Sequence, residues 1–181
     1  MKKTVAIIYG WSEGPRHGKK LVRALSREGF EVIKNLHKAD VILAHSGGCF
    51  LVPAQHKASV TFLVGLPHWP NRHPLKSVLE KIKKENPSRE LARRTLLNTY
   101  YYFAKPLARS RMKKAWKLNK MPPASDAVIL VRNSNDAFLH PEQSKLLAQN
   151  FGWEHVELPG GHDDIWQNPE PYIGLIKKHL S

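Results

Sequence analysis

Five short apolar runs, Val5 to Tyr9, Val41 to Ala44, Val60 to Val64, Ala127 to Val131 and His155 to Leu158, alternate with helical patterns along the chain. Their length and β-branched content are those of buried strands. Residues 18–28 place Leu21, Val22 and Leu25 on one face, and Pro141 to Phe151 and Glu170 to Leu180 also read as helices. Strands separated by helices predict an α/β fold: a mostly parallel sheet of about six strands with helices on both faces. Gly29 to Ile33 has strand character too, yet only Lys34 to Ala39 link it to the next run. A parallel crossover takes a dozen or more residues, so this strand must be very short or lie outside the regular winding.

The 181 residues, 41% hydrophobic, suffice for one domain over 1–181, with a core that needs neither disulfides nor structural metal. The single Cys49 cannot form an internal bridge, and no run approaches the roughly 18 apolar residues that cross a bilayer. The N-terminus reads as a first strand, not a signal peptide. A cytoplasmic location is the expectation.

The formal charge is +14, and most of it sits in one block. Between Pro70 and Lys120 there are 15 basic residues against Glu80, Glu85 and Glu90, which leaves +12 in that stretch. Leu75, Val78, Leu79 and Ile82 repeat at helical spacing, Asn86-Pro87 is a cap signal, and Leu91 to Phe103 and Leu107 to Trp116 carry two further apolar stripes. An inserted basic helical lid over about 70–121 is predicted. A one-signed surface gathers counter-charges and points to an anionic partner; a solvated helical face accounts for the same residues.

The chemistry concentrates in Val41-Ile42-Leu43-Ala44-His45-Ser46-Gly47-Gly48-Cys49. A buried strand running into small-x-Ser-x-small predicts a sharp strand-to-helix turn with an exposed hydroxyl at its tip. The flanking Ala44 and Gly48 have to be small, and backbone N–H groups at such a turn stabilise an oxyanion. A serine hydroxyl needs a base and an orienting acid. Asp136 follows the strand Ala127 to Val131, and His162 lies in the Gly160-Gly161-His162 loop after the strand ending near Leu158. The chain order is therefore Ser46, Asp136, His162, each just beyond a strand, where open α/β sheets bind ligands.

In these motifs the chain resembles the α/β-hydrolase family, over about 130 residues on both sides of the basic block. The resemblance implies a serine hydrolase, carboxylesterase-like, that cleaves an ester, thioester or amide. Ser46, Asp136 and His162 are then the catalytic residues, and the N–H groups of Gly47 and Trp11 form the oxyanion hole. No metal or organic cofactor is implied, and the partner is a small-molecule acyl substrate. The chain departs from the family pattern in three places: Ala44 where the elbow commonly begins with Gly, Tyr9-Gly10-Trp11-Ser12 where many members carry His-Gly, and the shortened crossover after Ile33.

Other readings compete for the same residues. Ser46 also suits a structural turn, and Asp136 an Asx-turn or a cap for the helix after Pro141. His45, His68, Trp69 and Tyr100 are candidate pocket-lining residues. None of the ten histidines has metal-ligand spacing. Gly14 to Lys20 resembles a phosphate loop, but it is one residue short between its glycines and Pro15 removes a donor. The rival function is a non-catalytic binding protein on this fold, its basic lid engaging nucleic acid or anionic lipid. Tyr100 to Phe103 beside arginines would then stack on bases.

Overall fold

The structure, a computed structural model, describes residues 2–10, 13–53, 55–67, 83, 125–136 and 138–181. Trp11, His68, Trp69, Tyr100 and, apart from the single residue 83, the lid expected over 70–121 lie outside the described residues.

The elements run β1 (Thr4–Ile8), α1 (Lys19–Arg27), β2 (Glu31–Ile33), β3 (Val41–His45), a 3₁₀ turn (Ser46–Leu51), β4 (Val60–Val64) and β5 (Ala127–Asn133). They continue with α2 (Pro141–Phe151), β6 (Glu154–Leu158), α3 (Asp164–Gln167) and α4 (Glu170–Leu180). The six strands form one sheet in the order β2-β1-β3-β4-β5-β6, and every pairing is parallel. The α/β sheet expected from the alternating runs is present, with wholly parallel pairing.

Side-chain alternation explains why these runs are apolar throughout. In β3, Val41 and Leu43 enter one core cluster while Ile42 and Ala44 enter the other, so a strand covered on both faces has no polar side to show. The first cluster packs the sheet against Leu21 and Leu25 of α1, Ile165 of α3 and Ile173 and Ile176 of α4. The second packs it against Ala148 of α2 and the loops around Cys49 and Leu139. Complete burial of each of the Leu and Ile side chains among these contributes about 1.5–3 kcal/mol.

The short link after Ile33 has a simple geometric resolution. β2 is only three residues long, and its last residue, Ile33, lies opposite Ala6, while Val41 begins β3 opposite Val5. The chain therefore drops by a single residue level as it passes β1. It needs only the lateral span of two strand spacings, about 10 Å, which a few extended residues cover. A 3₁₀ turn at Leu36–Lys38 fills the link, and Asp40 closes it by accepting from the Thr4 N–H at 2.7 Å and the Thr4 hydroxyl at 2.8 Å.

Because β1 pairs with β2 on one side and β3 on the other, successive connections leave β1 in opposite directions. Such a switch point opens a crevice at the carboxyl ends of the two central strands. Ser46 follows β3 there, beside Gly10 after β1.

Candidate active site

Ser46 has φ 51°, and it is the one non-glycine residue at positive φ among the described residues. A β-carbon in that region is strained, so the surrounding structure must hold it there. Part of the reason is the crowding two residues on. A Cβ at Gly48 would lie 2.6 Å from the carbonyl oxygens of both Ile8 and Tyr9, so only glycine lets the turn press against the end of β1. Ala44 is completely buried. The sharp turn expected at Ser46 is thus present, but it opens into the 3₁₀ turn Ser46–Leu51 and not into a longer α-helix.

The fold brings the other two candidates to this hydroxyl. His162 Nε2 lies 2.9 Å from Ser46 Oγ, and His162 Nδ1 lies 2.8 Å from Asp136 Oδ2. Asp136 Oδ1 accepts the Phe138 N–H at 2.7 Å, which fixes the plane of the carboxyl group. The Phe138 ring meets the His162 ring edge-on at 4.6 Å. Both Asp136 and His162 are buried. Three residues separated by up to 116 positions therefore form one continuous hydrogen-bonded chain. Gly47, the expected oxyanion donor, directly follows the hydroxyl; Trp11, its expected companion, lies outside the described residues.

His45, a candidate for the pocket wall, has no exposed surface and points into the protein. Its Nδ1 lies 2.9 Å from Glu13 Oε2, and its Nε2 lies 2.8 Å from the His162 carbonyl oxygen. Burial alone would push this imidazole down, but the Glu13 carboxylate and its hydrogen bond outweigh that cost and carry it up to about 9. Glu13 moves the opposite way. Its burial is overcome by the His45 charge and by the N–H of Gly10 at 2.8 Å, so it stays below the usual carboxylate range. An ion pair thus sits immediately behind the candidate nucleophile.

Several residues that organise the site carry no motif. Gly65, just after β4, has φ 58°, and a Cβ there would stand 3.0 Å from His162 Nδ1 and 3.1 Å from Asp136 Oδ2. Its single signal in sequence is a glycine ending an apolar strand. The buried guanidinium of Arg132 donates to the Leu139 carbonyl at 2.8 Å, the Ser134 carbonyl at 3.0 Å and Glu157 at 2.6 Å, clasping both ends of the loop that presents Asp136. Asn133 Nδ2 donates to the Gly161 carbonyl at 2.6 Å and its Oδ1 accepts from Tyr172 at 2.8 Å, which joins α4 to the histidine loop. Cys49 donates to the Ala44 carbonyl, and burial pushes its thiol well up, so it behaves as a small packed residue.

Among the described residues, His45, His162 and Asp163 bring potential ligand atoms within 4.8 Å of one another. All four ring nitrogens of the two histidines are already engaged, with Glu13, the His162 carbonyl, Asp136 and Ser46. Their arrangement suits proton transfer better than metal ligation. No helix among the described residues is long and apolar enough to cross a membrane.

A parallel sheet with a strained serine after a central strand, followed in order by an acid and a histidine at the same edge, defines the α/β-hydrolase fold, and this chain has it. Among solved structures it is similar to an enol-lactonase from Burkholderia xenovorans LB400, with a TM-score of 0.60 and 14% identity over 99% of this chain and 92% of that one. It is similar to the thioesterase domain from the curacin biosynthetic pathway, with a TM-score of 0.62 and 14% identity over 99% of this chain and 92% of that one. An N-formylmaleamic acid deformylase from Pseudomonas putida S16 gives 0.59 and 13% over 97% and 92% respectively. No family model matches the sequence, and no curated protein matches it at a significant level.

Proposed function

We propose that the protein is a serine hydrolase that cleaves an ester, thioester or amide of a small molecule through an acyl-enzyme intermediate. The observation that carries this reading is the unbroken chain Ser46 Oγ to His162 Nε2 to Asp136 Oδ2, with links of 2.9 Å and 2.8 Å. That such different acyl hydrolases as a lactonase, a thioesterase and a deformylase share the fold supports the reaction class.

With Asp136 as a carboxylate, His162 keeps its proton on Nδ1 and presents Nε2 to the Ser46 hydroxyl. Ser46 Oγ attacks the substrate carbonyl as Nε2 takes its proton, and Asp136 stabilises the imidazolium that forms. The same proton then passes to the leaving group, which departs as the acyl-serine ester forms. Water, deprotonated by His162, attacks that ester in the second half and regenerates the serine. The Gly47 N–H, joined by that of Trp11, receives the oxyanion in both halves, each donor worth roughly 3 kcal/mol. The strain at Ser46 keeps the hydroxyl raised above the sheet edge toward the substrate.

The +12 charge between Pro70 and Lys120 favours anionic acyl substrates, since an excess of positive charge draws acids toward the protein. Reversing Arg93 and Arg94 to Glu is expected to slow an anionic ester more than a neutral one; equal effects on both refute the steering.

Fluorophosphonate labelling tests the central proposal. The parent protein is expected to label and Ser46→Ala to remain unlabelled. Equal labelling of the two, or none of the parent, overturns it.

A further inference from the structure

We propose that the buried Glu13–His45 pair is a positioning device, which rivets the loop after β1, the nucleophile elbow and the histidine loop into one working geometry. The inference rests on the hydrolase reading above and concerns the same site.

The pair gathers three segments that no local interaction connects. Glu13 Oε2 accepts from the Gly10 N–H at 2.8 Å and from His45 Nδ1 at 2.9 Å, so one oxygen holds the loop leading to the expected oxyanion donor against the elbow. The other nitrogen of the same ring donates to the His162 carbonyl at 2.8 Å. His162 is thus held from both ends, its main chain by His45 and its ring by Asp136. His45 is also the residue directly before the strained Ser46, so fixing its ring fixes the backbone that raises the hydroxyl.

The chemistry requires the charged form. A carbonyl oxygen only accepts, and so does a carboxylate, so both ring nitrogens must carry protons at once. A neutral imidazole has a single N–H and would set its bare ring nitrogen against one of these two acceptors, lone pair to lone pair, which is costly in a buried site. The groups facing His45 are consistent with a cation: Glu13 from the loop after β1, Asp163 at the start of α3 and the His162 carbonyl. Of the remaining neighbours, the His162 ring centroid lies 4.9 Å away and Trp166, on which Tyr9 stacks, meets His45 edge-on at 5.1 Å. Tyr9 is pushed up by burial and by Glu13, which keeps its phenol neutral.

An ordinary structural ion pair would affect stability and nothing else. A positioning device also sets turnover per folded molecule and ties it to the protonation of His45. The imidazolium is expected to last through neutral pH and to be lost near pH 9, with the rivet opening as it goes.

The test compares the parent, His45→Gln and Glu13→Gln on a nitrophenyl ester, with fluorophosphonate labelling to count competent sites. Both variants are expected to keep KM within about twofold and to lose about 10- to 100-fold in kcat, the cost of a slightly misplaced catalytic constellation. Their kcat profiles should lack the parent's decline centred near pH 9. A parent that labels, with variants that fold and match its kcat and its alkaline decline, overturns this inference alone. A parent that fails to label overturns the hydrolase reading, and this inference with it. Should neither variant fold, the parent decides: a kcat decline centred near pH 9 supports the device, and a flat profile to about pH 10 overturns it.

Discussion

Gly65 faces His162 so closely that any β-carbon in its place would lie 3.0 Å from both Nδ1 and Cε1 of the ring. The same carbon would press on Asp136 Oδ2, and the backbone, at φ 58°, already disfavours an L side chain. Gly65→Ala is therefore expected to cost about 1–3 kcal/mol of stability and, by pushing acid and base apart, about 100-fold in kcat. Urea unfolding and steady-state kinetics on one preparation check both, and unchanged kcat would show that the ring has room to move.

Gly174 gives the opposite expectation. It is exposed on α4, and a Cβ there meets nothing within 4 Å. Gly174→Ala should stabilise the protein by about 0.5–1 kcal/mol, because alanine has less backbone freedom to lose in a helix. Activity should not change. A lower melting temperature would contradict the packing of α4.

Asp136→Asn probes the orientation of the base. Oδ1 is held by the Phe138 N–H, so an asparagine that keeps its oxygen there turns its NH₂ toward His162 Nδ1. That nitrogen must then accept, the ring proton moves to Nε2, and the base faces Ser46 already protonated. A loss of about 10⁴ in kcat is expected with folding retained. A loss below about tenfold would mean that the tautomer is set by some other group.

The Glu13–His45 pair also predicts how stability varies with pH. His45 is raised from 6.5 to about 9, so its contribution is complete below 6.5 and is lost as pH rises through 9, where the native state gives up the extra proton. Glu13 is lowered from 4.5, so its contribution is present above that value and is lost on acidification. The pair stabilises most between these limits. Melting temperatures measured from pH 6 to about pH 10 should fall less steeply for Glu13→Gln than for the parent, and parallel curves would remove the assignment.

The elements that follow repeating local patterns were legible in the sequence. The expected helices Pro141 to Phe151 and Glu170 to Leu180 have those bounds in the structure, and the strand Val60 to Val64 does too. The elbow was legible because its steric demands fall on neighbouring residues, Ala44 and Gly48. The rivet was not. Glu13 and His45 are 32 positions apart, and nothing in either segment signals that the fold places one opposite the other. The same holds for Gly65, whose need for a bare α-carbon comes from His162 on a loop almost a hundred residues later. The short helix Asp164–Gln167 has no signature in the sequence, because four residues give no measurable period.

β4 and β5 are adjacent and parallel, paired from Val60 opposite Ala127 to Val64 opposite Val131. The polypeptide therefore leaves the sheet at the carboxyl ends of its strands, past Pro67, and has to re-enter at their amino ends by Ser125. Whatever that excursion contributes to choosing substrates, it is also the return path of the winding. An engineer trimming it to strip the protein to a bare scaffold would have to leave a bridge of about a dozen residues, the least that spans a parallel crossover. Ser46, Asp136 and His162 all lie outside that segment.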